Sequence, residues 1–337
     1  MSALRPTLLD CTLRDGGNQN DWRFTPEQVA GIVTGLDDAR VDFIEVGYRG
    51  GSGSKKGDAA GAAAECDREY LASLPETSHS QYALMVVPSV APIESMSDLA
   101  ESAIELVRIA VYPWDAWRAP EYVDAVHALG KSASVNLMAL SYVDHEELAA
   151  IARSIAPTLP EVFYVADSFG ALTPEQVAAD IGVLHAELSS ALGIHVHNNL
   201  GLAAANTLAA LGAGATWIDS SLCGMARGAG NLPTEQAAAI LASHASYRTD
   251  VEIPAMGALA TYVADEVLAA PMKTGVDEIS AGLNNHHYYY LPILEAAGAA
   301  YSLDPHEVGR RLGKTRPHSV TRELVDEICQ SMKEELS

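Results

Sequence analysis

Residues 162–219 read VFYVADSFGALTPEQVAADIGVLHAELSSALGIHVHNNLGLAAANTLAALGAGATWID. Three short β-rich apolar runs, Val162–Ala166, Ile194–His197 and Thr216–Asp219, alternate here with two Ala-rich amphipathic stretches, Pro174–Leu192 and Leu202–Gly212. Strand, helix, strand, helix, strand is the order of right-handed βαβ units around a parallel sheet. The same alternation runs back towards the N-terminus, with strand candidates at Thr7–Cys11, Phe43–Gly47, Tyr82–Val87, Leu106–Tyr112 and Ser134–Leu140 and a helix candidate at Pro26–Ala39. Eight strand candidates predict an α/β fold, a closed (β/α)8 TIM barrel in preference to an open doubly wound sheet.

The chain of 337 residues exceeds the roughly 250 of such a barrel by enough for one appendage. After Thr234 the pattern turns helical without convincing strands, with Ala258–Ala270, Leu291–Tyr301 and Val320–Met332, the last repeating Val320, Leu324, Ile328 and Met332 on one face. The expected division is a TIM-barrel domain over 1–245 and a C-terminal helical domain over 246–337. Two helices open with the same words, Thr25-Pro26-Glu27-Gln28 and Thr173-Pro174-Glu175-Gln176, which predict capping boxes with Pro in the first turn. The stretch Arg49–Gly57, rich in Gly and Ser, has the composition of a flexible surface loop and is a candidate lid over the barrel mouth.

A net charge of −23, with no local Lys/Arg cluster, repels phosphate backbones and anionic headgroups, so neither nucleic acid nor membrane is an expected partner. The ends show no targeting or membrane-spanning pattern, and four scattered cysteines form no CxxC pair. A cytoplasmic enzyme is the expectation.

Three segments carry candidate chemistry. Asp10-Cys11-Thr12-Leu13-Arg14-Asp15-Gly16-Gly17 puts a cation and a carboxylate side by side at the end of the first strand, where a barrel keeps its catalytic groups. On its own an Arg–Asp pair is more often part of a solvated loop or a helix cap. His195-Val196-His197 ends the seventh strand, and residues two apart on a strand offer two imidazoles to one ion or to two separate hydrogen-bond partners. Cys223-Gly224-Met225-Ala226-Arg227-Gly228-Ala229-Gly230-Asn231 follows the eighth strand, where barrels commonly bind anionic groups, and it is neither a Walker loop nor a dinucleotide fingerprint. Glu45 and Arg108 fall inside strands two and four, where burial demands partners, and a mutual structural ion pair is expected.

Together these segments resemble the metal-dependent lyase superfamily that includes 4-hydroxy-2-oxovalerate aldolase, hydroxymethylglutaryl-CoA lyase, isopropylmalate synthase and homocitrate synthase, over about residues 7–235. The resemblance implies that Asp15, His195 and His197 bind a divalent metal, with Asn231 as a further ligand. The aldolase branch is the most similar, through Asn198-Asn199-Leu200-Gly201-Leu202 and through Gly228-Ala229-Gly230-Asn231 followed by Pro233-Thr234-Glu235. Acyl-CoA synthases usually carry Gln two residues after the motif's first Gly, where Asn18 stands here and Gln19 follows. Aldolases of this type place a catalytic histidine three residues beyond the metal-binding Asp, and this chain has Asn18 at that site position. His286 and His287, in Asn284-Asn285-His286-His287-Tyr288-Tyr289-Tyr290, can replace it if the helical extension folds over the barrel mouth; a packing or subunit contact is the equal alternative.

The implied activity is that of a divalent-metal-dependent aldolase joining or separating a pyruvate-type enolate and an aldehyde. Mn2+ or Mg2+ suits the oxygen and nitrogen ligands best, and Co2+ and Zn2+ are compatible with them. Arg14 would stabilise the enolate oxygen, and Asp167 and Asn199 would join Arg14 and Asp15 as substrate contacts, although a hydrogen-bonded loop carboxylate is the more common role for a residue placed like Asp167. A homo-oligomer, in company with an acylating aldehyde dehydrogenase, is the implied assembly. The rival readings are an acyl-CoA-dependent Claisen enzyme or lyase, an iron(II) oxygenase built on two His and a carboxylate, and a non-catalytic partner subunit of a dehydrogenase.

Overall fold

The computed structural model describes residues 3–51 and 60–336, so most of the candidate lid, 52–57, lies outside the described residues. Eight strands, β1 Thr7–Asp10, β2 Phe43–Arg49, β3 Gln81–Val86, β4 Ile104–Val111, β5 Ser132–Leu137, β6 Val162–Asp167, β7 Ala191–Val196 and β8 Trp217–Ser220, form a closed barrel in chain order. All pairs are parallel, and closure runs from Thr7 opposite Trp217 to Asp10 opposite Ser220. The TIM barrel expected from the alternation is the fold observed.

Around it lie α1 Pro26–Asp38, α2 Arg68–Ser73, α3 Ala119–Ala128, α4 His145–Ile155, α5 Pro174–Glu187, α6 Ala203–Gly212 and α7 Thr234–Ser243. The C-terminal part adds α8 Ile253–Glu266, α9 Val276–Leu283, α10 Leu291–Tyr301, α11 Pro305–Thr315 and α12 Arg322–Leu336. The helix predicted to reach Leu192 stops at Glu187 because Leu188 turns extended, and β6 then captures Ala191 opposite Val162 to start β7 three residues early. Both capping boxes form, on Thr25 with Gln28 and on Thr173 with Gln176.

The main core lies between strands and helices, where Ile32, Val33 and Leu36 of α1 and Val177, Ile181 and Leu184 of α5 meet outward-facing residues such as Ile44, Val165 and Ile194. Inside the barrel the alternation of strand side chains stacks layers. Leu9, Cys11, Ala83 and Leu106, closed by Phe43 and Trp217, make an apolar floor. One step up each strand, Glu45, Arg108, Tyr164 and Asp219 are buried in a polar layer. One step further, Met85, Asn136, Ala166 and His195 line a cavity at the C-terminal rim.

Helix α8 packs its Leu259 and Tyr262 against Gly35 and Gly31 of α1, while α10–α12 form a second cluster around Leu294, Val308, Leu312 and Val325. Helix α9 and the segment after it reach back over the rim. Asn199 Nδ2 donates to the Glu278 carbonyl (3.1 Å), Ser141 Oγ to Asn285 Oδ1 (2.6 Å) and Tyr142 Oη to the Asn285 carbonyl (3.2 Å). Among the described residues no helix is long and apolar enough to cross a membrane.

Thr173→Ala removes the side-chain acceptor for the Gln176 amide and is expected to lower stability by about 1 kcal/mol, read as a shifted urea midpoint with an unchanged slope.

Candidate metal site at the barrel mouth

After β1 the chain folds back tightly. The amides of Arg14 and Asp15 donate to the Cys11 carbonyl (3.1 and 2.7 Å), and the Trp22 indole donates to the Arg14 carbonyl (2.6 Å). A Cβ on Gly17 would lie 2.1 Å from the Trp22 ring, so only glycine lets the indole close over the turn. The result aims Arg14 and Asp15 inward, both buried.

On β7, His195 faces the lumen, Val196 packs into the helix layer, and His197 follows on the lumen side, bridged through its backbone to Asn231. The Gly-rich segment can approach so closely because Gly230 holds φ +86°, where a Cβ would meet the Gly224 carbonyl at 2.2 Å. Asp15 Oδ2 lies 3.6 Å from His195 Nε2 and 3.7 Å from His197 Nε2, and the three ligand atoms fall within 4.8 Å of one another. Asn231 Nδ2 donates to Asp15 Oδ2 (2.8 Å).

These groups fit a divalent ion. Both ring nitrogens of His197 and Oδ1 of Asn231 are buried with no hydrogen-bond partner, an arrangement a protein interior tolerates poorly unless another group supplies the contact. One carboxylate and two imidazoles leave positions open for a substrate. Burial opposes ionisation of Asp15, but Arg14, His197, Arg227 and His195 outweigh it and hold the carboxyl far below the usual range. Burial, helped by Arg227, pushes His197 well down, so its imidazole is neutral and its lone pair free to ligate.

A buried ionic chain stands behind the ligands. Arg108 contacts Glu45 (2.9 Å) and Asp219 (2.6 Å), so the expected pair is a triad. Glu45 accepts from Arg14 Nε (2.7 Å), and Arg14 Nη1 contacts Asp15 (2.9 Å). Asp219 accepts from His195 Nδ1 (3.0 Å), which leaves Nε2 directed at the site.

A family model described as HMGL-like matches residues 5–263. The chain belongs to the HMGL-like family. The 4-hydroxy-2-oxovalerate aldolase of Pelotomaculum thermopropionicum is 31% identical over 326 residues, covering 96% of this chain and 95% of that protein. The enzyme of the same name from Carboxydothermus hydrogenoformans is 32% identical over 330 residues, 96% of each chain. The crystal structure of HMG-CoA lyase from Bacillus subtilis superposes with a TM-score of 0.69 at 16% identity, over 81% of this chain and 97% of that one, and shares the fold.

In this HMGL-like chain His195 of the ligand trio borders a cavity of about 130 Å3 lined also by Arg14, Asn18, Tyr48, Tyr112, Arg227 and His287 among others. An outer cleft of about 720 Å3 shares Asn18, Trp22, Arg227 and Tyr289 with it. Asn18 donates to the Asp15 carbonyl (2.9 Å) and to Asp15 Oδ1 (3.3 Å). Two expected substrate contacts are placed elsewhere. Asp167 spends its carboxylate on the amides of Ala171 and Leu172 (2.9 and 3.2 Å), with burial pushing it up to about 6, and Asn199 ties β7 to α9. The two adjacent histidines also part. His286 turns into the helical extension beside Gly309, whereas His287 lines the cavity.

Arg227, Tyr48, Tyr112, Tyr289 and Asp219 were not picked out as site residues from sequence. Arg227 stands in the Gly-rich segment and reaches Asp15 Oδ1 at 3.6 Å; Asp219 lies in the eighth strand two residues after an inward Trp217, and that spacing is the signal that points it at the lumen. Asp219→Asn is expected to weaken divalent-metal affinity about 10- to 100-fold, read by Mn2+ titration, while the far-ultraviolet spectrum stays that of the folded barrel.

Proposed function

We propose that this chain is a divalent-metal-dependent aldolase that breaks or forms the bond between a pyruvate-type enolate and the aldehyde carbon of a 4-hydroxy-2-oxo acid. The observation that carries the reading is the meeting at the barrel mouth of the trio Asp15, His195 and His197 with two guanidinium groups, Arg14 at 2.9 Å and Arg227 at 3.6 Å from Asp15. The names of the two relatives described above support it.

A divalent ion, Mn2+ or Mg2+ by ligand type, supplies Lewis acidity to the 2-oxo group. Asp15, His195 and His197 would hold it, with Asn231 as a further ligand. The residues themselves bind and orient. Arg14 uses Nε on Glu45 and Nη1 on Asp15, a fork that fixes the guanidinium plane with Nη2 as its remaining donor group. Burial opposes its charge, but Glu45 and Asp15 hold its proton more firmly than usual, so Arg14 stays cationic as negative charge grows on the enolate oxygen.

Arg227, less buried, stands at the boundary between inner cavity and outer cleft, where it can receive the carboxylate of the arriving oxo acid. Asp15, Glu45 and Asp219 balance Arg14, Arg108 and Arg227, so a divalent ion would leave the site positive and drawn to a 2-oxo acid anion. The cap segment lays His287 and Tyr289 along the inner cavity, and the apolar surface they add lowers the local dielectric and strengthens these interactions.

In the same reading the barrel, 1–245, and the helical part, 246–337, act as one unit, since the latter supplies the cavity's roof. The protein is a cytoplasmic homo-oligomer, in keeping with its unpaired cysteines, and an acylating aldehyde dehydrogenase is the partner suited to its aldehyde.

Chelation is expected to abolish cleavage of 4-hydroxy-2-oxo acids and Mn2+ to restore it; full turnover by metal-free protein overturns the reading. Arg14→Ala is expected to lower kcat by about 10²- to 10³-fold, with a much smaller change in Mn2+ affinity, measured by steady-state kinetics beside metal titration.

A further inference from the structure

The cavity needs a group that takes and returns a proton, and Asn18 has none to offer, since an amide is not a base near neutral pH and this one already donates to Asp15. The other lining groups can be sorted by chemistry. Arg14 and Arg227 keep their protons. Asn136 and Ser168 carry no basic lone pair. Burial pushes the hydroxyls of Tyr48, Tyr112 and Tyr289 up, so each remains protonated. His195 is occupied between Asp219 and Asp15. His287 is what is left.

Its placement fits the task. The ring is buried, its Nε2 lies 3.4 Å from Tyr112 Oη, and its Nδ1 is buried with no partner. Tyr289 stacks on it (centroids 4.6 Å apart, 17°) and Phe169 meets it edge-on (4.7 Å, 81°). Tyr112 is held in turn by stacking on Trp114 (4.6 Å, 5°), and Trp114 by His318 from the loop before α12 (4.2 Å, 15°). A ring clamped on two sides, with one nitrogen hydrogen-bonded and the other bare, is a preorganised acid–base group.

Resting on the aldolase reading, we infer that His287 carries the substrate's hydroxyl proton, taking the place of the missing histidine at position 18, and that Tyr112 positions its ring. In cleavage the C4 hydroxyl proton passes to the imidazole as the C3–C4 bond breaks. The C4–O bond becomes the aldehyde carbonyl, and the C3–C4 electron pair forms the C2–C3 double bond of the enolate. The imidazolium then returns the same proton to C3, giving the 2-oxo acid, with no net oxidation or reduction. Condensation runs these steps backwards. The groups around the ring favour a quick return: burial, Arg227 and His286 disfavour the imidazolium and Asp15 favours it, with burial the strongest influence and the net effect well downward.

The test uses Mn2+-loaded protein. In His287→Ala, cleavage of 4-hydroxy-2-oxopentanoate is expected to fall by about 10²- to 10⁴-fold, while oxalate, a mimic of the pyruvate enolate, binds nearly as before. Added imidazole is expected to restore turnover in proportion to its free-base concentration, which a packing role would not allow. Tyr112→Phe should lower kcat about tenfold and leave KM near that of the unsubstituted protein. If His287→Ala keeps turnover within about threefold of an active parent, or loses it together with oxalate binding and without rescue, the inference fails and the aldolase reading stands. If the loaded parent protein cleaves no 4-hydroxy-2-oxo acid, both fail.

Discussion

Arg108 is wholly buried in the middle of the barrel, its guanidinium over the Tyr164 ring (4.5 Å) and in contact with Glu45 and Asp219. Taking one such charge out of water costs several kcal/mol, so the cation holds there only because both carboxylates come with it. Each carboxylate is then shared outward. Glu45 holds Arg14, Asp219 holds His195, and Arg14 holds Asp15. The putting together of a site from β1 and β7 therefore depends on an ion triad from β2, β4 and β8. Removing either carboxylate leaves a buried charge uncompensated and frees the group it holds on or just past the neighbouring strand, Arg14 for Glu45 and His195 for Asp219.

This arrangement explains how ligands borne partly on loops can be rigid. Asp15 is on a turn and His197 lies just past its strand, positions that in a barrel are ordinarily the most mobile. Here Asp15 is gripped by Arg14, Asn18 and Asn231, and the His197 backbone pairs with Asn231. The cap adds a second constraint from above, since Asn199 and Ser141, in the loops that follow β7 and β5, anchor Glu278 and Asn285 of the C-terminal part. What the polar layer fixes from below, the cap closes from above.

Much of this was legible in the residue order, because it depends on local periods. The eight strands alternate with helices at regular spacing, and His195 in β7 and His197 just past it sit two apart, which turns both towards the lumen. What the residue order left open has equally physical causes. Asp167 and Asn199 stand at strand ends and look like site residues, yet the amides after Asp167 and the docking of α9 claim them, and such tertiary partners leave no mark in a local pattern. His286 and His287 are neighbours in an irregular turn, where no period tells which one faces the cavity. Arg227 was hidden among glycines whose positive φ values, not their composition, decide where its side chain reaches.

Asn18 and His287 belong to one exchange of roles. At position 18 an amide can serve Asp15 as donor without competing for protons, which suits a residue touching a metal ligand. The proton-handling imidazole comes instead from the roof, on a segment whose seat depends on Ser141, Tyr142 and Phe169. A barrel that kept its base on the first loop could attempt chemistry with the mouth open. With the base on the roof, the ring that accepts the proton is held by the same contacts, to Ser141, Tyr142 and Phe169, that seat the aromatic residues above the cavity, so the seat of that segment sets both.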